Sequence, residues 1–305
     1  MERFKLISVW AIFLLLLLPA PLIVQSYNKI DSLLQLGMNY YENGRYDRAI
    51  TILKEAVELE PDSPVANYCI ASGYIAVNEY AKAMEHLDRV IDKDVDFLLG
   101  VYTMKSSCLD YLGRTVESIE LLRDGIERLG GHYLLYYNLG LCLYKIGNHG
   151  EAQQALENAL SLSPNHAGSH YLLGVLMYEL GKMDHSLPPL YYFLLLEPNS
   201  KRSETAFGII ADHLSGSPGK KEEVQRIIEL SEEAIKSMIN RGAFGKREGV
   251  WSDLYIPFFK ALAGFSYTDI FLHSAFRFFD PHIQIWLAEN HDRATSFYDW
   301  LRNNQ

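Results

Sequence analysis

Residues 133–166 read YLLYYNLGLCLYKIGNHGEAQQALENALSLSPNH, and related stretches recur along the chain about every 34 positions. The eighth position of this stretch is small each time it recurs, and it holds Gly37, Ala71, Ser106, Gly140, Gly174 and Gly208. A larger side chain there would hold two neighbouring backbones apart, so we expect two helices to meet closely at each of these positions. The regular period predicts an architecture built by repeating one supersecondary unit.

A turn signal divides each unit into two halves. The corresponding residues tolerate the left-handed conformation that follows a helix C-terminus, and they are Gly44, Asn78, Gly113, Gly147 and Gly181. Proline closes three of the units, at Pro61, Pro164 and Pro198. Apolar residues on either side of the turns follow helical spacing, and no strand pattern competes. Each unit is therefore predicted to be a pair of antiparallel amphipathic helices.

This pattern resembles the tetratricopeptide repeat family. Its small, aromatic and turn positions are met in the first unit by Gly37, Tyr40, Gly44, Ala49, Ala56 and Pro61. The fourth and fifth units, residues 133–166 and 167–200, follow the pattern well, while the third departs from it at Leu109 and Gly125. The resemblance implies an all-α fold, a right-handed α-solenoid of five clear helix pairs and a degenerate sixth. It also implies a binding scaffold whose partner is left open.

The N-terminus has the features of an export signal. Arg3 and Lys5 precede an apolar segment, residues 6–24, and small residues end it at Ser26. We predict residues 1–26 to be a signal peptide, cleaved before Tyr27, with the mature chain in the periplasm or outside the cell. The alternative is an uncleaved inner-membrane anchor formed by residues 6–24, because this segment is about long enough to span a bilayer. Membrane contact is expected only through residues 1–26, and only if they are uncleaved.

The rest of the chain divides into a repeat region, residues 27–241, and a C-terminal region, residues 242–305. The sixth pair is predicted to be interrupted by SGSPGK, residues 215–220, and to resume in a long helix from Lys221 to Asn240. Beyond it, four shorter helices are expected, broken at Gly264, Pro281 and Asn290. We interpret these helices as a cap on the last repeat, because an uncovered end would expose apolar surface.

Pro188 and Pro189 lie where the second helix of the fifth unit is expected. Both would interrupt the interior of a helix. If Ser186 is the N-cap, they fall in the first turn, where the backbone N–H groups have no partner in any case. We therefore expect this helix to begin late.

The net charge bears on the class of partner, and the positions of the cysteines bear on disulfide formation. The formal net charge of −10 argues against nucleic acid. Cys69, Cys108 and Cys142 lie on first helices of repeats, and equivalent positions on neighbouring helices are too far apart for a disulfide. We expect three buried free thiols.

We predict no enzyme, no cofactor and no metal. His273, His282 and His291 are spaced nine residues apart in the C-terminal region, which does not match the spacing of metal ligands on a helix. The sequence contains no phosphate-binding loop and no nucleophile elbow. Acidic pairs on the amphipathic helices are interpreted as solvated.

The predicted binding surface is an aromatic groove. In the family that the chain resembles, the first helices line a concave face, and the positions concerned hold Tyr41, Tyr68, Tyr111, Tyr137, Tyr144, Tyr171, Tyr178 and Lys145. Lys145 is the one cation noted among them, which argues against acidic C-terminal peptides. Tyrosine offers a flat apolar ring with a hydroxyl group, which suits an extended peptide or a sugar ring. The alternative is that half of these rings serve only in packing on the neighbouring helix.

From these features we predict a non-enzymatic scaffold of a bacterial cell envelope, which binds an extended peptide or a partner protein in this groove. A glycan-binding or peptidoglycan-binding module is the alternative, and an enzyme with its site in residues 251–305 is a second one.

Overall fold

The computed structural model describes residues 20–216, 223–241 and 249–303, and all regular structure in these ranges is helical. The predicted all-α fold of tetratricopeptide-type helix pairs is confirmed. The helices of the repeats are α1 (Ala20–Glu42), α2 (Tyr46–Leu59), α3 (Pro64–Ala76), α4 (Tyr80–Asp88), α5 (Leu98–Tyr111), α6 (Thr115–Leu129), α7 (Tyr133–Lys145), α8 (His149–Leu162), α9 (Ala167–Glu179), α10 (Met183–Leu196), α11 (Lys201–Ser215) and α12 (Val224–Arg241). The C-terminal helices are a π-helical turn (Trp251–Tyr255), α13 (Ile256–Gly264), α14 (Thr268–Phe276), α15 (Pro281–Glu289) and α16 (His291–Asn303).

The chain forms two compact units, Met1–Thr115 and Val116–Gln305. The division falls at the start of α6, inside the third repeat. The N-terminal unit contains α1 to α5, and the C-terminal unit contains the remainder of α6 and all later helices. The predicted boundaries at residues 26/27 and 241/242 stay predictions.

The five predicted turns adopt the left-handed backbone that their sequences favour. Their φ angles lie between +61° at Asn78 and +77° at Gly147. In the fourth repeat the N–H of Gly147 donates to the carbonyl of Tyr144, and the N–H of Asn148 donates to that of Leu143, at 3.0 and 2.9 Å. These bonds satisfy carbonyls that the end of α7 leaves without helical partners. The chain can therefore reverse within two residues.

The small residues at position 8 hold the two helices of a pair together in three repeats. A Cβ atom added to Gly37, Gly140 or Gly174 would lie 2.5 to 2.9 Å from the side chain of Leu53, Leu156 or Leu190 on the second helix. Gly208 was expected to make the same close contact, and this prediction is wrong. A Cβ atom there would meet nothing within 4 Å. No side chain therefore takes the place at Gly208 that leucine takes in the three repeats above.

The late start predicted for the second helix of the fifth repeat is also wrong. α10 begins at Met183, directly after the turn at Gly181, and Pro188 and Pro189 lie inside it. The N–H of Ser186 donates to the carbonyl of Lys182 as part of the helix, so Ser186 is not the N-cap. The turn sets the start of this helix as it does in the other repeats. Residues 186–195 are all buried, and we infer that this packing compensates for the two N–H groups that proline lacks.

The C-terminal helices cover α10, which explains why a second helix of a repeat is buried on every side. Tyr191 of α10 makes edge-to-face contacts at 6.3 to 6.4 Å with Phe259, Phe271 and Phe276. The indole N–H of Trp251 donates to Glu157 on α8 at 2.9 Å. The predicted breaks at Gly264, Pro281 and Asn290 separate four helices, the first beginning as the π-helical turn.

Two further predictions concern the cysteines and the N-terminus. Cys69, Cys108 and Cys142 are buried and form no disulfide, as expected. α1 begins at Ala20 and continues without a break through Ser26 and Tyr27, the predicted cleavage point. Residues 1–19 lie outside the described residues, and within the described ranges no helix is long and apolar enough to cross a membrane.

Candidate binding groove

The predicted groove residues of the N-terminal unit pack against aromatic neighbours. Tyr41 lies 5.4 Å from the ring of Tyr46, and Tyr68 lies 4.9 Å from the ring of Phe97. Burial raises the pKa of Tyr68, with smaller contributions from Cys69 and Tyr41. Tyr41 and Tyr68 are half-buried and are partly engaged in packing between helices.

Tyr111 is the most exposed of the predicted groove tyrosines of this unit, with 66% of its surface accessible. Its ring stacks on Tyr80, the first residue of α4, at 4.6 Å and an angle of 4°. Tyr111 therefore pairs with a second helix of the preceding repeat. The two stacked rings form a flat aromatic surface, and the Tyr111 ring is exposed to solvent.

In the C-terminal unit, Tyr137 of α7 and Tyr171 of α9 converge on one side chain, Arg202 of α11. The guanidinium group of Arg202 lies 5.6 Å from the centre of the Tyr171 ring, within cation–π range. Burial raises the pKa of Tyr137, and the nearby charge of Arg202 acts against this rise. A Cβ atom at Gly168 would come within 3.1 Å of the Tyr137 ring, so glycine is needed for this ring to lie against α9. The two tyrosines thus belong to one cluster on three successive first helices.

Arg202 is fixed in turn by Glu197, which precedes α11. Its Nε and Nη2 atoms donate to the two carboxylate oxygens of Glu197 at 3.1 and 2.5 Å. Burial by itself would raise the pKa of Glu197, but the hydrogen bonds from Arg202 and Ser200 outweigh it and the pKa is lowered. This two-point contact restricts the guanidinium plane. The ring of Tyr171 therefore has a rigid neighbour on one side.

The other two tyrosines of this unit donate to carboxylates on the following first helix. The Tyr144 hydroxyl lies 2.7 Å from Oε1 of Glu179, and the Tyr178 hydroxyl lies 2.9 Å from Oδ2 of Asp212. Burial and then the bond to Glu179 raise the pKa of Tyr144 to about 12. The hydroxyl groups therefore stay protonated at neutral pH and act as donors. We call the surface formed by Tyr137, Tyr144, Tyr171 and Tyr178 the tyrosine face.

Sequence reasoning missed Arg202, Glu197 and Asp212 as neighbours of these tyrosines. Arg202 and Asp212 occupy positions 2 and 12 of the sixth unit, and both could have been found by carrying the groove positions one unit further. Lys145 is exposed on α7, next to Tyr144. The sequence suggested that Lys145 is the one cation at the groove positions, and this is not the case. Arg202 is a second, although its charge is already paired with Glu197.

The three C-terminal histidines lie in different surroundings. His273 is buried, stacks on Trp286 at 3.6 Å and contacts the carbonyl of Asp269. His282 pairs with Asp280 at the start of α15, and His291 is exposed at the start of α16. Among the residues that the structure describes, no group of three or more His, Cys, Asp or Glu side chains could hold a metal ion.

Comparisons with known proteins agree with this architecture. Family models described as tetratricopeptide repeat match residues 40–100 and residues 133–166. Lipopolysaccharide assembly protein B of Escherichia coli is 31% identical over 97 residues, which are 32% of this chain and 25% of that protein. Superkiller protein 3 of Saccharomyces cerevisiae is 28% identical over 108 residues, 33% of this chain and 8% of that protein. The chain spans a quarter or less of the length of these two relatives.

Among solved structures, that of Pseudomonas aeruginosa pilF superposes with a TM-score of 0.56. The match covers 78% of this chain and 99% of that one at 18% identity, so it bears on the fold alone. Family models, fold and repeat geometry lead to the same conclusion. Residues 40–100 and 133–166 are tetratricopeptide repeats, and they lie in a chain whose described helices form pairs of the same kind.

Proposed function

We propose that this chain is a protein-binding scaffold that holds an extended peptide segment of its partner on the tyrosine face. Tetratricopeptide repeats are in general interaction modules without catalytic activity, and we propose no catalytic role. The observation that carries the proposal is the arrangement of Tyr137 and Tyr171. Both rings are half-buried and keep part of their surface in solvent. Arg202 lies close to both of them.

Rigid aromatic rings are effective anchors at interfaces. A tyrosine supplies a large apolar area but has only two side-chain torsions to restrict on binding. Here much of that restriction is already present, because Phe193 lies 5.0 Å from Tyr171 and His166 lies 4.7 Å from Tyr137. A partner would therefore lose little conformational entropy from the scaffold side.

We further propose that the chain works in a bacterial cell envelope. The charged and apolar N-terminal segment supports export or anchoring. Lipopolysaccharide assembly protein B, which the chain resembles over a third of its length, is named for an envelope process.

Quantitative capture from an envelope extract tests the function. The full chain is immobilised, bound proteins are identified by mass spectrometry, and the affinity of the recovered partner is measured for the wild type and for the Tyr137→Ala, Tyr171→Ala double variant. We expect the double variant to bind at least tenfold more weakly, as aromatic anchors require, and to unfold within a few degrees of the wild type.

Tyr298→Phe serves as the matched control, because Tyr298 lies on α16, away from the tyrosine face. A double variant that binds normally but unfolds early would show that the tyrosines serve only in packing. If the chain instead sediments with cell-wall sacculi and captures no protein, the glycan-binding alternative replaces the scaffold.

A further inference from the structure

Two carboxylates next to the tyrosine face accept hydrogen bonds from tyrosine hydroxyls but form no ion pair with any cation that the structure describes. Glu179 and Asp212 are both exposed, and each accepts one hydrogen bond, from Tyr144 and Tyr178. Within the described residues, neither forms an ion pair. Glu197, the other acidic residue next to this face, is paired with Arg202.

The tyrosine hydroxyls orient these carboxylates without neutralising them. Tyr144 occupies Oε1 of Glu179 and Tyr178 occupies Oδ2 of Asp212, so Oε2 and Oδ1 are left as acceptors. Next to each carboxylate lies the ring of the donating tyrosine, whose face attracts cations. A carboxylate beside an aromatic ring is a suitable receptor for an ammonium or guanidinium group, since it offers charge and ring contact together.

The spacing of the two receptors is set by the helices that bear them. Glu179 belongs to α9 and Asp212 to α11, which are successive first helices packed side by side. Packed helices lie about 10 Å apart. A peptide in the extended polyproline II conformation advances roughly 3.1 Å per residue and makes one turn in three residues, so side chains three positions apart point the same way and lie about 9 Å apart. Two positively charged side chains three positions apart in the bound peptide could therefore contact Glu179 and Asp212, one each.

The charge around this face has the required sign. The chain carries a net charge of −10. Of the two cations at the groove positions, Arg202 is paired with Glu197, and Lys145 already has an interaction of its own. An acidic strand would meet Glu179 and Asp212 as like charges and be repelled.

We infer that the partner segment bound on the tyrosine face is a basic extended peptide with Lys or Arg at two positions three residues apart. One side chain contacts Glu179 and the ring of Tyr144, and the other contacts Asp212 and the ring of Tyr178. This inference rests on the proposed scaffold function and names the chemistry of its partner.

The test uses the full chain and three pools of fluorescein-labelled decapeptides with identical neutral backgrounds. The pools carry two Lys, two Glu or two Gln residues three positions apart, and binding is followed by fluorescence anisotropy. We expect the Lys pool to bind at least tenfold more tightly than either other pool. Its affinity should fall as salt is raised, because the contacts are partly exposed ion pairs.

The decisive variant is Glu179→Gln with Asp212→Asn, since both replacements keep an oxygen for the tyrosine hydroxyl and remove the charge. The control is Glu229→Gln with Glu233→Gln on α12, which removes the same charge from two exposed side chains elsewhere. We expect the first pair to weaken binding of the Lys pool at least tenfold and the control pair to leave it within twofold.

Three results would overturn the inference. Equal binding of the Lys pool to the wild type and to the Glu179→Gln, Asp212→Asn variant would remove the two carboxylates from recognition. Preference for the Glu or Gln pool, with binding still lost in the Tyr137→Ala, Tyr171→Ala variant, would keep the scaffold function and reject the basic peptide. If no pool binds, the peptide-binding function fails together with the inference.

Discussion

The imidazole Nδ1 of His170 on α9 lies 2.7 Å from the hydroxyl oxygen of Tyr255, at the end of the π-helical turn. The other ring nitrogen, Nε2, lies 2.7 Å from the carbonyl oxygen of Pro164. A carbonyl can only accept, so Nε2 carries the proton and Nδ1 accepts from Tyr255. One neutral histidine thus links the fifth repeat to the C-terminal helices, which are 85 residues further along the chain.

Removing the Tyr255 hydroxyl is expected to destabilise the C-terminal unit. In Tyr255→Phe the buried Nδ1 atom of His170 loses its donor, which costs about 1–3 kcal/mol of unfolding free energy. Urea unfolding followed by tryptophan fluorescence measures this, because Trp251, Trp286 and Trp300 all lie in this unit. Tyr298→Phe removes a hydroxyl from a partly exposed ring of α16 and should change the free energy by less than about 0.5 kcal/mol. Equal effects of the two variants would show that the bond contributes nothing.

Acid should lower the free energy of unfolding of the C-terminal unit. Complete burial lowers the pKa of His170 from 6.5 to about 3. The unfolded chain therefore binds this proton more readily, and the contribution of His170 to stability is complete above pH 6.5 and is lost as the pH falls toward 3. Burial also lowers the pKa values of His166 and His273, which act in the same direction. We measure the free energy of unfolding in urea at pH 7.5 and at pH 5.0. Between these two pH values, His170→Gln should lose less of this free energy than the wild type does. An identical loss in both proteins would assign the pH dependence to other groups.

Two glycines at the same repeat position should respond oppositely to alanine. At Gly174 the added methyl group would lie 2.5 Å from Leu190, so Gly174→Ala should cost about 1–3 kcal/mol of unfolding free energy. At Gly208 the methyl group meets nothing within 4 Å, and alanine favours a helix over glycine by about 1 kcal/mol. Gly208→Ala should therefore raise the stability slightly. Thermal melting of both variants tests the difference, and destabilisation by Gly208→Ala would show that α12 packs there after all.

The thiols should be inaccessible in the folded protein. Burial raises the pKa values of Cys69 and Cys108 to about 11, and Cys142 is buried as well. At pH 8 we expect no rapid reaction with Ellman's reagent in buffer. In guanidinium chloride all three cysteines should react. Fewer than three reactive thiols in protein isolated from an oxidising compartment would contradict the absence of disulfides.

Processing at the N-terminus can be tested directly. We expect the exported protein to begin at Tyr27, which would remove seven residues, Ala20–Ser26, from α1. The close contact between Gly37 and Leu53 lies beyond this point, so residues 27–305 should unfold at nearly the same temperature as the full chain. Mass spectrometry of the protein from an exporting host gives the first residue. An intact Met1 in the membrane fraction would reject cleavage and support an anchor formed by residues 6–24.

The features that sequence predicted well are those fixed within one helix pair. Asn78 and Gly147 adopt the left-handed turn because their own backbone preferences allow it. Gly140 packs on Leu156 because a local reversal brings position 8 onto the following helix. Such contacts repeat with the period, so the period reveals them.

What the sequence did not reveal depends on departures from the period. Gly208 keeps the repeat residue but makes no close contact with a second helix. Pro188 and Pro189 look like helix breakers, yet the buried surroundings of α10 keep them helical. The partners of the tyrosine face, Arg202 and Asp212, come from a unit whose second half no longer follows the pattern. The conformation and contacts of these residues are decided by packing between neighbouring repeats and helices, which the period of the sequence does not show.

The burial of α10 by the C-terminal helices also bears on how the chain is synthesised. Tyr191 and its neighbours leave the ribosome before the rings of Phe259, Phe271 and Phe276 that cover them. Translation proceeds at about 5–20 residues per second, so roughly 5 to 20 s pass between completion of α10 and completion of α16. During that interval the nascent chain presents an uncovered apolar helix, the kind of surface that chaperones bind. Substitutions that delay docking of the C-terminal helices should therefore lower the yield of soluble protein more than they lower the equilibrium stability.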